Sequence, residues 1–213
     1  MSENVIETDG LTFYYGKHRG ILDVNLAVEK GEVFGFLGPN GSGKTTTQRI
    51  LLAVIRPTRG KATMFGLDCQ KEGVRARKRI GYLPGELALY SDMKASRFFQ
   101  MYEYLRTSNG SKGYWQDLAE RLDLDTSRKI REFSRGNKQK VGVVAAFMNK
   151  PDLLILDEQT GGLDPLVQQT VLEMVRESSD DGRTVFFSSH ILSEVQAVCD
   201  RVGIIRDGKL VTI

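Results

Sequence analysis

Gly38-Pro39-Asn40-Gly41-Ser42-Gly43-Lys44-Thr45 sets glycines at its first, fourth and sixth positions and ends on a lysine and a hydroxyl. Glycines let successive backbone N–H groups curl around an anion, a path that residues with a β-carbon follow only at a cost. Lys44 then reaches the β and γ phosphates of a nucleotide, and the Thr45 hydroxyl is placed to ligate Mg²⁺. Upstream, Val33-Phe34-Gly35-Phe36-Leu37 is a short apolar run. Downstream, Ile50, Leu51, Val54 and Ile55 recur at helical spacing and predict a helix over 45–55. Strand, loop and helix in that order aim the helix's positive end at the phosphates. The stretch, together with the neighbouring Thr46, therefore predicts a nucleoside triphosphate site with Mg²⁺.

Outward from the loop, residues 11–15 and 21–28 alternate apolar and polar side chains imperfectly, as half-buried antiparallel strands do. Residues 61–65 extend beside them after the breaker Arg56-Pro57-Thr58-Arg59-Gly60. A small antiparallel sheet is expected there. From 92 to about 124 the spacing turns helical, with Phe98, Phe99, Met101, Tyr102 and Leu105, then Trp115, Leu118, Leu122 and Leu124. This predicts an inserted helical lobe whose aromatics pack its core. Leu153-Leu154-Ile155-Leu156, Val185-Phe186-Phe187 and Val202-Gly203-Ile204-Ile205 are continuous apolar runs separated by helical stretches. That is the pattern of parallel strands covered on both faces, so the architecture expected is α/β.

The first of those runs leads into Asp157-Glu158, so a buried strand ends by presenting two adjacent carboxylates at the sheet's carboxyl edge, where open α/β sheets bind ligands. Asp157 is placed to hold Mg²⁺ directly or through water, and Glu158 to take a proton from the water that attacks the γ-phosphate. The pair suits hydrolysis better than binding alone. Asn149-Lys150-Pro151-Asp152 fits the pattern that reads guanine in GTPases, but there the motif ends a strand. Here it follows a helical stretch over 139–148 and precedes the Leu153 run, which predicts a connecting turn stopped by Pro151.

Across 213 residues, 40% are hydrophobic and 27% charged, enough for one domain with a substantial core. The longest apolar run, 141–148, is interrupted by Gly142 and falls far short of the ~20 residues of a membrane-spanning helix. Met1-Ser2-Glu3-Asn4-Val5-Ile6-Glu7 lacks the basic and apolar regions of a secretion signal, so a cytoplasmic protein is expected. The formal charge of +3 is too small to imply nucleic acid, and Arg75, Arg77, Lys78 and Arg79 are read as a solvated helix face. Cys69 and Cys199 lack partners at metal spacing and are read as buried thiols.

Phe133-Ser134-Arg135-Gly136-Asn137-Lys138-Gln139-Lys140 resembles the signature motif of ABC-type ATPases, commonly written Leu-Ser-Gly-Gly-Gln. The phosphate loop, Asp157-Glu158, Gly161-Gly162-Leu163-Asp164 and His190 fall in that family's order, so the resemblance spans nearly the whole chain. It implies a P-loop NTPase (RecA-like) core with a mainly parallel sheet, a small antiparallel β subdomain and an inserted α-helical subdomain. All of 1–213 would be one ABC ATPase domain, with 1–84 and 151–213 forming the β subdomain and core, and 85–150 the helical, signature-bearing part. The resemblance also makes Tyr15 an adenine-stacking residue, His190 a sensor of the γ-phosphate and Asp164 part of a loop along a dimer seam.

Two such subunits, a homodimer, would sandwich two ATP molecules head to tail, each reading the other's nucleotide with Ser134, Arg135, Gly136 and Asn137. Because the signature precedes a helix, it offers backbone N–H groups and a hydroxyl to an anion. The implied activity is ATP hydrolysis, carried by Glu158, His190 and Lys44 with Mg²⁺, that powers a separate integral-membrane permease from the cytoplasmic face. Gly81-Tyr82-Leu83-Pro84-Gly85-Glu86 and Ser188-Ser189-His190 resemble the branch that drives ABC-2-type exporters. The chain departs from the family pattern in four places. Gly85 stands where a glutamine is expected, leaving Glu86 as a further candidate toward Mg²⁺; Arg135 and Asn137 replace signature residues; and Gln159 replaces the proline after the acidic pair. The rival class, a soluble ABC ATPase of translation or DNA repair, implies a second cassette or a long coiled-coil insertion.

Overall fold

A computed structural model describes residues 3–105, 112–158 and 162–212. The chain opens with two long strands, β1 (Asn4–Tyr15) and β2 (His18–Glu29), and β3 (Val33–Leu37) runs into α1 (Lys44–Leu51). β4 (Arg59–Met64) and β5 (Leu67–Asp68) precede the short α2 (Gly73–Arg77) and β6 (Ile80–Leu83). The lobe then contributes α3 (Ala95–Leu105), α4 (Tyr114–Arg121) and α5 (Arg135–Phe147). Strand β7 (Leu153–Asp157), α6 (Pro165–Asp180), β8 (Thr184–Ser189), α7 (Leu192–Val198), β9 (Arg201–Arg206) and β10 (Lys209–Thr212) complete it.

These strands form two sheets. The antiparallel one has the order β2-β1-β4-β5, and the larger one runs β10-β9-β3-β8-β7-β6 with every pairing parallel except β10 with β9. Period-two alternation splits the larger sheet's side chains between two apolar clusters. Phe34, Phe36, Leu153, Ile155 and Phe186 pack with Ile6, Leu11, Ile21 and Ile50 from the antiparallel sheet and α1. Val33, Leu154, Leu156, Val185 and Phe187 belong instead to a cluster with Val141 and Phe147 of α5, Val171 and Val175 of α6, and Val195 of α7. Phe98, Phe99, Trp115 and Leu118 of the lobe join that same cluster, so lobe and sheet share one continuous core. Each such side chain taken out of water contributes about 1.5–3 kcal/mol before entropy is set against it.

The structure departs from the expectations in four places. The first helix stops at Leu51 rather than at 55, because Ala53 takes a left-handed conformation (φ 56°) and Val54 turns out to solvent, 67% exposed. Strands β6 and β10 lie in segments where no strand was expected. Strand β9 is not covered on both faces: Ile205 is fully buried but Ile204 is 37% exposed, as befits a strand near the sheet's edge. Helix α5 begins at Arg135, so Arg135, Gly136 and Asn137 form its first turn instead of preceding it, and Ser134 caps it by accepting from the Asn137 N–H at 3.2 Å.

Residues 149–152 are the connecting turn expected, with Lys150 at φ 43° and its N–H donating to Phe147 O. The basic cluster is partly a solvated face. Arg75 pairs with Glu72, whereas Arg77 donates to Leu52 O, and Arg79 stacks on Phe65 while pairing with Asp152. Cys69 is buried as expected, whereas Cys199 is half-buried; burial pushes both thiols up to about 12, which keeps them protonated.

Candidate active site

The loop after β3 closes at Gly43, the N-cap of α1, with φ 115°. A Cβ there would fall 2.5 Å from Ile21 Cγ2, so both the backbone and the packing against β2 require glycine. The Gly38 N–H donates to Ser189 O, and the Gly208 N–H donates to Ser42 O, tying the loop to β8 and to the β9–β10 turn.

Lys44 is 4% exposed, and its Nζ donates to Gly38 O at 2.6 Å and Pro39 O at 3.1 Å. The same Nζ lies 3.2 Å from Glu158 Oε1, and His190 Nδ1 lies 3.5 Å from that same oxygen. One carboxylate oxygen therefore stands between a lysine from the loop and a histidine from the end of β8. Glu158 holds a left-handed backbone (φ 50°) as it leaves β7, its N–H donating to Ser188 O. Such a conformation in a residue other than glycine costs about 1–3 kcal/mol and is found where a site needs it.

Asp157 is 3% exposed. Its Oδ2 accepts from Thr45 Oγ1 at 2.9 Å and its Oδ1 from Ser188 Oγ at 2.7 Å. Burial, followed by the Asp157 charge, pushes the phenol of the neighbouring Tyr82 up to about 12. The hydroxyl of Thr45 and the carboxylate of Asp157 are the hard oxygen donors Mg²⁺ prefers. Among the described residues no three His, Cys, Asp or Glu gather into a protein cage. Two protein oxygens fit an ion that takes its other ligands from phosphate and water. Ser42 Oγ is buried inside the loop without a hydrogen-bond partner among the described residues, a polar group suited to an acceptor that enters there.

Lys44, Thr45, Asp157 and Glu158 line an open cleft of about 490 Å³ that also takes in Asn40, Gly41, Thr46 and Glu86. Gly85 sits against Asp157, a Cβ at that position falling 3.4 Å from Asp157 O. Tyr15 is 45% exposed, its ring edge-on to Phe13 and its hydroxyl 3.2 Å from Thr46 Oγ1. The signature lies apart from the phosphate loop along the sequence, yet Arg135 lines the cleft of its own chain. Gly136 packs against Gly162 O, and Asp164 caps α6 by accepting from the Val167 N–H. Gln159 and Gly161 lie outside the described residues.

Sequence reasoning missed Arg49 and Tyr82, which line the cleft, and the buried Ser188 that donates to Asp157 behind it. Arg49 and Tyr82 carry no motif, and Ser188 was legible only as part of Ser188-Ser189-His190.

A profile of the family described as ABC transporter matches residues 21–161. The chain belongs to that family. Linearmycin resistance ATP-binding protein LnrL of Bacillus subtilis is 36% identical over 98% of this chain and 68% of its own length. ABC transporter ATP-binding protein NatA of the same organism is 37% identical over 91% of this chain and 80% of its own. Bacitracin transport ATP-binding protein BcrA of Bacillus licheniformis is 36% identical over 97% and 68%. Among solved structures, an ATP-binding subunit of an ABC transporter superposes with a TM-score of 0.91 at 28% identity, covering 98% of this chain and 88% of that one. A dimeric ATP-binding cassette bound to ADP and Pi shares the fold, with a TM-score of 0.86 at 21% identity over 97% of both chains.

This chain is accordingly the ATP-hydrolysing subunit of an ABC transporter, and the P-loop α/β fold is the one expected. Among the described residues no helix is long and apolar enough to cross a membrane.

Proposed function

We propose that the cleft hydrolyses Mg²⁺-bound ATP between two copies of this subunit and that the cycle drives an exporter. The observation that carries this is the convergence of Lys44, Glu158 and His190 on one carboxylate oxygen, beside the Thr45–Asp157 pair. A triphosphate entering the loop offers Lys44 stronger acceptors than the carbonyls of Gly38 and Pro39. Lys44 then lies along the β and γ phosphates, with the N–H groups of residues 41–46 and the end of α1 behind them. Thr45 and Asp157 would hold Mg²⁺, with Glu86 a further oxygen toward it; when bound, the ion would neutralise the charge that builds on the phosphates. Glu158, released from Lys44, orients the attacking water and takes its proton, while His190 donates to the γ-phosphate. Tyr15 stacks on adenine.

Ser134, Gly136 and Asn137 at the start of α5 serve the second subunit's nucleotide, with Arg135 and Asp164 at the seam. Residues 85–150 act as the helical subdomain and the rest as the core. A separate integral-membrane permease docks this assembly at the cytoplasmic face. The resistance and transport named for LnrL and BcrA support an exporter, and the family favours transport over translation or repair. Glu158→Gln removes the base while leaving the binding groups. At saturating ATP with Mg²⁺ the variant should elute as a dimer on size-exclusion chromatography. A monomer under those conditions would refute the shared site.

A further inference from the structure

Strand β8 ends on two serines whose side chains point to opposite sides. Ser188 Oγ donates to Asp157, as described above, whereas Ser189 Oγ donates to Glu194 Oε2 at 2.6 Å. Ser189 is 2% exposed and Glu194, in the first turn of α7, is 9% exposed. The same Ser189 Oγ accepts from the Ile191 N–H at 3.0 Å, and Ser189 O accepts from the Gly38 N–H. One hydroxyl thus spans the turn on both sides of His190, and the buried carboxylate holds that hydroxyl in place. His190 itself is 48% exposed on its side chain, so packing does little to fix it.

We infer that Glu194, acting through Ser189, is the positioning residue that aims His190 at Glu158 and the phosphate loop. A buried carboxylate is costly to keep, and a short charge-assisted bond to a buried hydroxyl is the kind of contact that makes it worthwhile at a site needing fixed geometry.

The inference rests on the reading of His190 as a γ-phosphate donor, and its test separates the two. On the full chain, assayed with the membrane protein that co-purifies with it, Ser189→Ala and Glu194→Ala should each lower kcat about ten- to hundredfold with KM for ATP little changed. Glu194→Gln keeps an acceptor oxygen for Ser189 and should recover most of the rate. In a His190→Ala background, adding Ser189→Ala should change kcat by less than about twofold, because the group it positions is gone. Exchange of the Ile191 amide, followed by NMR, should speed up in Ser189→Ala.

An equal loss in the His190→Ala background, a loss confined to KM, no rescue by glutamine, or an unaltered Ile191 exchange would each overturn the inference. A His190→Ala chain with normal kcat would instead bring down the role of His190, and the inference would fall with it.

Discussion

Gly81 is the tightest point between the catalytic sheet and the helix that carries the signature. A Cβ there would fall 2.1 Å from Ala146 O, 2.8 Å from Pro151 Cγ and 2.9 Å from Leu154 Cδ2. The nearest of these atoms is backbone, so no rotamer change relieves it. Ordinary contact begins near 3.4 Å, so Gly81→Ala must push α5 from β6 by about 1.3 Å or bend the strand by as much. Overpacking of this kind costs about 1–3 kcal/mol. Loss of glycine's freedom in the unfolded chain offsets about 0.4–1 kcal/mol. The net, about 0.6–2 kcal/mol, should lower Tm by about 1–8 °C, at ~2–4 °C per kcal/mol for a chain of this size.

Gly85→Ala is the matched control. It lies four residues on in the same segment, and its Cβ would meet Asp157 O at 3.4 Å, an ordinary contact. Thermal unfolding followed by far-UV circular dichroism decides the matter. A Gly81→Ala chain that melts within about 1 °C of wild type, or a Gly85→Ala chain that loses as much, would refute the reasoning. Nucleotide affinity, measured by titration calorimetry, should survive in Gly81→Ala, because neither β3 nor the loop packs on this contact.

If Tyr15 stacks on adenine as proposed, Tyr15→Ala should weaken ATP binding about fivefold while Tyr15→Phe, which keeps the ring and loses only the part-buried contact to Thr46, stays near wild type; equal losses in the titrations would point to the hydroxyl instead. The hydrogen bond from Arg121 holds the Glu177 carboxyl below the usual glutamate range, so the pair stabilises the fold above the ordinary carboxylate value and loses that contribution as pH falls through the lowered one. The pair is about half exposed and contributes about 0.5 kcal/mol; Glu177→Gln should therefore melt about 1–2 °C lower at about pH 7, a difference that disappears as the pH is lowered until the Glu177 carboxyl is protonated in the folded chain. Cys69 and Cys199 should resist iodoacetamide at about pH 8 in the folded chain and react promptly in guanidinium, as counted by mass spectrometry.

How far the sequence could be read followed from how each segment is buried. Strands β3, β7 and β8 are covered on both faces, so they appear as unbroken apolar runs, and that they are parallel was legible while their order in the sheet was not. Strand β6 was not, because Ile80-Gly81-Tyr82-Leu83 is short, contains the glycine that α5 demands and runs straight into Pro84. Strand β10 escaped because it lies at the edge with Val211 exposed and little apolar content to mark it. Helix α1 was overextended because Val54 and Ile55 keep helical spacing while Ala53 has already turned left-handed. In the site, Lys44, Thr45, Asp157, Glu158 and His190 could be named from motifs and do come together. Tyr82 and Glu194 could not, and Ser188 only as part of a motif, since their contacts arise only from which strands are neighbours and which way each side chain points.

The contact of Gly81 with Ala146 lies at the far end of α5 from the signature. From Ser134 to Ala146 the helix is about 18 Å long at 1.5 Å per residue. Helix α5 thus touches the backbone of the strand next to Asp157 near its C-terminal end and carries Ser134 at the other end. A tilt of about 10° there sweeps the tip through about 3 Å, the length of one hydrogen bond. Under the proposed shared site, a displacement of that size would be enough to make or break the contact of Ser134 with a second nucleotide.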